Sequence, residues 1–191
     1  MKIKKIKIFI ARFNVLLVLA MMMIVIQIAN TISDNALLNF GLFPRQLALS
    51  QYIDSAFLHG NWTHLLNNLT GLFVFGSLCL IRSRQLFVVS SVCIVIVSGL
   101  LVWSFGRPGV HIGASGWVFG LWAVCIGSAL LEKSLMNIVI AFFVIAFYGG
   151  MIYGLLPSSS GISFESHVFG VVAGIVSLVY QPRWLRYMFK K

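Results

Sequence analysis

Apolar stretches of about 20 residues, the length that spans a hydrocarbon core roughly 30 Å thick, recur along almost the whole chain. They lie near 9–29, 61–81, 86–105, 114–131, 135–155 and 163–180. Polar or helix-breaking residues separate them: Asp34 and Asn35, Arg82 to Arg84, Gly106 to Gly109, Glu132 and Lys133, and Pro157 to Gly161. The pattern predicts six transmembrane helices and leaves almost nothing for a soluble domain. A single all-α membrane domain over residues 1–191 is therefore expected. The stretch from about 30 to 60 is too long for a simple connection. It carries the apolar residues Leu37, Leu38, Phe40, Leu42 and Phe43 beside Pro44.

Composition excludes a soluble globule. The chain is 60% hydrophobic and 9% charged, with a mean hydropathy of +0.99, against the roughly 25% charge of soluble domains. The formal charge of +10 needs no nucleic acid to explain it. All of the 14 lysines and arginines except Arg45 and Arg107 fall at the start of the chain, in the second-to-third connection, in the fourth-to-fifth connection or in the tail. By the positive-inside rule both termini are cytoplasmic, with added attraction to anionic lipid headgroups. A basic start followed by an apolar run also fits a secretory signal. The run from Ile8 to Ala29 exceeds the roughly 7–15 residues of a signal core, so a retained first helix is expected. Cys79, Cys93 and Cys125 sit in apolar runs without C-x-x-C spacing and read as small core residues, with neither a metal site nor a disulfide framework.

Topology turns a few scattered polar residues into a constellation. With the start of the chain inside, the second, fourth and sixth helices all run from the outer face inward. His64 and Asn68 fall in the first turns of the second, Ser115 at the start of the fourth and His167 in the first turns of the sixth. At 1.5 Å rise per residue these positions lie within about 10 Å of one another in depth. Polar groups are costly inside a bilayer, so their default reading there is function. His64 and Asn68, four apart, share one helix face. Gly116 and Gly120 on the fourth helix and Gly170 and Gly174 on the sixth make two G-x-x-x-G stripes, which let membrane helices approach closely. Packing these helices together would bring Ser115 and His167 within hydrogen-bond reach.

Such an arrangement suits nucleophilic acyl transfer. A serine hydroxyl is a poor nucleophile until a base takes its proton, and neutral histidine is the common base. Donors for the developing oxyanion are the Ser115 backbone N–H at a helix N-terminus, the Asn68 amide and the His64 ring. Among Asp34, Asp54, Glu132 and Glu165, none is placed to orient His167. Glu132 lies on the opposite side, and Glu165, two residues before His167, points away if the helix has begun. A Ser–His dyad without a carboxylate is expected. Each piece alone has a structural reading: glycine and serine pack many membrane helix ends, and His64, Asn68 and His167 could be interhelical hydrogen-bonders. Gly113-Ala114-Ser115-Gly116-Trp117 is also not the G-x-S-x-G elbow of soluble hydrolases.

Three segments in order resemble the motifs of rhomboid intramembrane serine proteases, over roughly residues 50–180. His59 to Asn68 resembles the second-helix H-x-x-x-N motif with an upstream histidine; His111 to Gly116 is similar to the G-x-S-G nucleophile motif; Glu165 to Gly174 is similar to the H-x-x-G-x-x-x-G last helix. The resemblance implies a six-transmembrane-helix bundle of the minimal bacterial type, with a membrane-embedded, partly helical loop between helices one and two. It implies Ser115 as nucleophile, His167 as base, His64 and Asn68 lining the oxyanion hole, and Gly113 giving room beside the acyl group. The implied substrate is a single-pass membrane protein cleaved near the outer end of its transmembrane helix, without metal or cofactor.

The chain departs from the family pattern in three places. Ser50 and Gln51 stand where a Trp-Arg loop pair is common, an acidic residue near the inner end of the second helix is absent, and Phe119 replaces a tyrosine that stacks on the catalytic histidine. Phe119, four residues after Ser115, can still stack on His167. His59 reads as a loop anchor, and His111 as a loop residue. The alternative to a protease is a catalytically inactive relative that binds transmembrane helices; the presence of both Ser115 and His167 argues against it. Expected partners are a transmembrane substrate and membrane lipids, with no nucleic acid. The lysine- and isoleucine-rich compact chain points to a bacterial plasma membrane. Oligomeric state is not legible in the sequence.

Overall fold

The computed structural model describes residues 9–46, 51–157 and 163–188, with side chains described through Tyr180. Among the described residues there are seven α-helices and no strand: α1 (Asn14–Ile32), α2 (Gln51–Asp54), α3 (Trp62–Arg82), α4 (Arg84–Phe105), α5 (Ser115–Leu131), α6 (Leu135–Tyr148) and α7 (Phe164–Met188). Two 3-10 segments, Ala36–Phe40 and Gly149–Leu155, follow α1 and α6.

Short polar residues set the helix boundaries. Asn61 accepts from the His64 backbone N–H at 2.8 Å and caps α3. Ser83 ends α3 with extended dihedrals and caps α4, accepting from Leu86 N at 2.9 Å, so one residue makes the whole turn between two long helices. Ser134 caps α6 through Asn137 N.

Among the described residues, four helical stretches are long and apolar enough to cross a membrane: Phe9–Ile32, Trp62–Arg82, Arg84–Phe105 and Leu135–Leu155. The two others expected as spans are shorter apolar helices, Ser115–Leu131 and Phe164–Tyr180. With 17 residues, α5 is about 26 Å long, less than the roughly 30 Å core. By length and composition, four helices qualify against the six expected. Of the loop expected between the first two spans, the described part contains a 3-10 turn and the short α2.

α5 is the central element. Every residue from Gly116 to Cys125 is buried, because the helix is apolar all round and α3, α4, α6 and α7 each pack on it. Its contact with α7 is the most extensive between any two helices. Leu65, Leu72, Phe75, Ile94, Leu121 and Val124 fill the interior, while α1 leans on α3 from outside. The Cys79 and Cys125 sulfurs approach to 3.8 Å between α3 and α5 as free thiols. At the end of α3 remote from His64, Arg82 bonds Glu132 at 2.8 Å and Ser128 Oγ at 2.6 Å, tying α3 to the end of α5.

Candidate active site

The glycine stripes make the α5–α7 contact possible. A Cβ added to Gly170 would run into the Gly116 carbonyl, and one on Gly174 into the Gly120 carbonyl. A Cβ on Gly116 would stand 2.9 Å from the Ser166 carbonyl oxygen, and one on Gly120 2.9 Å from that of Gly170. Backbone therefore lies directly on backbone along the seam. Ser115 opens α5 at one end of this seam and His167 lies in the first turn of α7 beside it.

The turn before Ser115 is equally constrained. Gly113 has φ +108°, a region that side-chain-bearing residues rarely adopt. A Cβ there would also come within 2.6 Å of His64 Nε2 and 3.4 Å of Asn68 Nδ2. The backbone of the turn thus faces the two polar residues of α3. Gly113 N–H donates to the Ser55 carbonyl at 2.8 Å, and Ala114 N–H to His59 Nε2 at 3.4 Å.

His59 holds this turn from behind. Its Nδ1 lies 3.2 Å from the Phe57 carbonyl oxygen, which can only accept, so Nδ1 carries the proton and Nε2 is left to accept from Ala114. Burial and the neighbouring His64 ring lower its pKa from 6.5 to about 4, against the opposing effect of the Phe57 bond. It is therefore neutral near pH 7, as that hydrogen-bond pattern requires. The His59 and His64 rings meet edge to face at 5.0 Å.

His167 is 8% exposed. Its ring stacks on Phe119 at 4.1 Å between centroids and 8° between planes, and its Nδ1 lies 2.8 Å from the Gly154 carbonyl oxygen. Glu165 does not orient it: its carboxylate pairs with Arg107 Nε at 2.9 Å. His111 likewise belongs to the loop, with Nδ1 2.6 Å from Ser163 Oγ and Nε2 3.0 Å from the Arg107 carbonyl oxygen. Together these contacts tie the loop after α4 to the start of α7.

A cleft of about 770 Å³ is lined by His64, Asn68, Ser115, Phe119 and His167, together with Tyr148 and Met151. Asn68 is 5% exposed, and its Nδ2 is buried without a hydrogen-bond partner. An unpaired buried amide is costly, and this one lines the cleft. No hydrogen bond joins Ser115 to His167 among the described residues. Catalytic contacts are commonly long before substrate binds. Among the described residues, no three His, Cys, Asp or Glu side chains gather where they could hold a metal. Gly154 is the site residue that sequence reasoning missed, since a backbone carbonyl has no side chain to betray it.

The rhomboid domain profile matches residues 46–183. The chain belongs to the rhomboid family. It is 35% identical to an uncharacterized protein of Mycobacterium tuberculosis over 63% of this chain and 54% of the relative. To Rhomboid-like protein 11, chloroplastic, of Arabidopsis thaliana it is 30% identical over 66% of this chain and 50% of the relative. To a putative rhomboid protein of Acanthamoeba polyphaga mimivirus it is 28% identical over 76% and 81%. The chain spans about half the length of the mycobacterial and Arabidopsis relatives. Rhomboid membership and the apolar helices together make it an integral membrane protein.

Proposed function

We propose that this rhomboid is an intramembrane serine endopeptidase with Ser115 as nucleophile and His167 as base. The observation that carries this reading is the cleft, in which Ser115, a stacked and hydrogen-bonded His167, and the unpartnered Asn68 amide face one space. Ser115 Oγ attacks the scissile carbonyl carbon while His167 Nε2 takes its proton. The oxygen of the tetrahedral intermediate accepts hydrogen bonds from Asn68 Nδ2, the His64 ring and the Ser115 backbone N–H. His167 returns the proton to the leaving amine nitrogen, and an acyl-enzyme remains. Water then attacks the ester, giving its proton to His167, and collapse of the second intermediate restores the Ser115 hydroxyl.

In this reading the chain is one membrane domain of six spans, with α5 and α7 entering from the outer face and held short by the loops above them. The substrate is a single-pass membrane protein cleaved near the outer end of its helix, and the setting is a bacterial plasma membrane. Reconstituted in vesicles with such a substrate, the protein is expected to release a fragment whose new terminus maps to that end. Asn68→Ala should lower kcat by the equivalent of about 2.7–4 kcal/mol, the loss of one oxyanion donor, with activity still above that of Ser115→Ala. Unfolding of Asn68→Ala in a thermal melt, with no specific loss of rate, would assign Asn68 to packing.

Orientation is checked separately. Pro108 and Lys133 are both exposed and lie in loops at opposite ends of α5. A cysteine at Pro108 is expected to react with a membrane-impermeant reagent in intact cells, and one at Lys133 only after the membrane is opened. The reverse pattern would move the cleft to the cytoplasmic side and overturn the substrate assignment.

A further inference from the structure

A catalytic histidine needs its proton on one nitrogen and its lone pair on the other, and something must decide which. In a Ser-His-Asp arrangement a carboxylate on Nδ1 does so. Here Glu165, the acidic residue in the same turn of α7, pairs through Oε1 with Arg107 Nε at 2.9 Å, and its Oε2 has no hydrogen-bond partner among the described residues. The Nδ1 position is taken instead by the Gly154 carbonyl oxygen at 2.8 Å. A carbonyl can only accept, so in the neutral ring this contact exists in one tautomer, with hydrogen on Nδ1 and the lone pair on Nε2. We propose that Gly154, through its backbone carbonyl, is the positioning group that sets the tautomer and ring orientation of His167 in place of a triad carboxylate. It supplies orientation without a negative charge.

The surroundings of residue 154 are built for this contact. A Cβ on Gly154 would stand 2.7 Å from Phe119 Cζ and 3.5 Å from His167 Nδ1, while Phe119 is the ring stacked on the imidazole. Any side chain there must displace either the ring that backs His167 or the carbonyl that holds it. Gly149, in the same 3-10 segment, has φ −60° and would meet nothing within 4 Å, so packing makes no such demand on it. The acceptor and the imidazole also come from different parts of the fold. The carbonyl belongs to the continuation of α6, the ring to α7. The base is therefore oriented only while the end of α6 stays docked against α7.

The kinetic part of this inference rests on the protease reading; the tautomer does not. The chain has 4 histidines, so ring ¹⁵N NMR of histidine-labelled protein in micelles at pH 8, with His167→Ala for assignment, reads the tautomer directly. The wild type is expected to show His167 protonated on Nδ1. Gly154→Ala is expected to give a tautomer mixture and a kcat lowered about 10- to 100-fold through misorientation, with KM little changed. Gly149→Ala should match the wild type in both. A wild-type ring protonated on Nε2 would overturn the proposal, whatever the fate of the Gly154 variant. So would unchanged tautomer and rate in a folded Gly154→Ala, or an equal loss in Gly149→Ala. An Nδ1-protonated His167 in a protein that cleaves no membrane substrate would leave the positioning role standing and remove the protease reading.

Discussion

Ser115→Ala and His167→Ala are each expected to reduce cleavage of a transmembrane substrate by roughly 10⁴-fold or more, because either change removes the same acyl-transfer step. The double variant should be no slower than the slower single one, since groups that act as a unit lose their effect together. The two should differ in stability. Ser115 sits at the start of α5 and no hydrogen bond of its side chain is lost among the described residues. His167 gives up both the bond to the Gly154 carbonyl and the stack on Phe119. His167→Ala should therefore melt at a lower temperature than Ser115→Ala, while both insert into membranes normally. Gel-based cleavage of a reconstituted substrate and a thermal melt of each variant check these outcomes. Wild-type cleavage by either single variant would remove the dyad assignment, and with it the protease reading.

The next largest effect is expected on the glycine seam. Leucine at Gly170 cannot be accommodated, because even its Cβ would collide with the Gly116 carbonyl, which belongs to the backbone of α5 and cannot swing aside. The helices must separate, and an error of about 1 Å between nucleophile and base costs on the order of 100-fold in rate. Overpacking should also lower stability by about 1–3 kcal/mol or more. Gly170→Ala meets the same carbonyl and should be nearly as damaging. Gly120 is more forgiving: its Cβ would meet the Ile94 side chain at 2.5 Å and the Gly170 carbonyl oxygen at 2.9 Å, and a side chain can rotate. Gly120→Ala should therefore retain more activity than Gly170→Ala. Wild-type rates in both Gly170→Leu and Gly120→Leu would mean that this seam does not set the geometry of the cleft.

The order and approximate extent of the helices were legible because the signals are local. A mostly apolar run of about 20 residues between an Asn or Ser cap and a charged turn, as in the 21 residues of Trp62–Arg82, has few alternatives. The boundaries that departed from expectation are those decided by neighbours. The apolar run over 135–155 reads as one helix, yet the α-helix ends at Tyr148 and continues as a 3-10 turn from Gly149. Composition alone does not distinguish these two ways of satisfying backbone hydrogen bonds. The span count depends in the same way on where a helix starts, and α5 starts only at Ser115, after a turn set by the positive φ of Gly113.

Hydropathy and side-chain identity are written residue by residue, so a membrane protein, the order of its helices and the polar positions His64, Asn68, Ser115 and His167 were legible in the chain. How those positions are held follows from the packing of the helices. Glu165 turns to Arg107, His59 supports the Ala114 backbone, and the Gly154 carbonyl oxygen lies 2.8 Å from His167 Nδ1. Two of these three contacts end on the main chain, which is the same at every position along the sequence. Its role at any one of them is set by the path the chain takes through space.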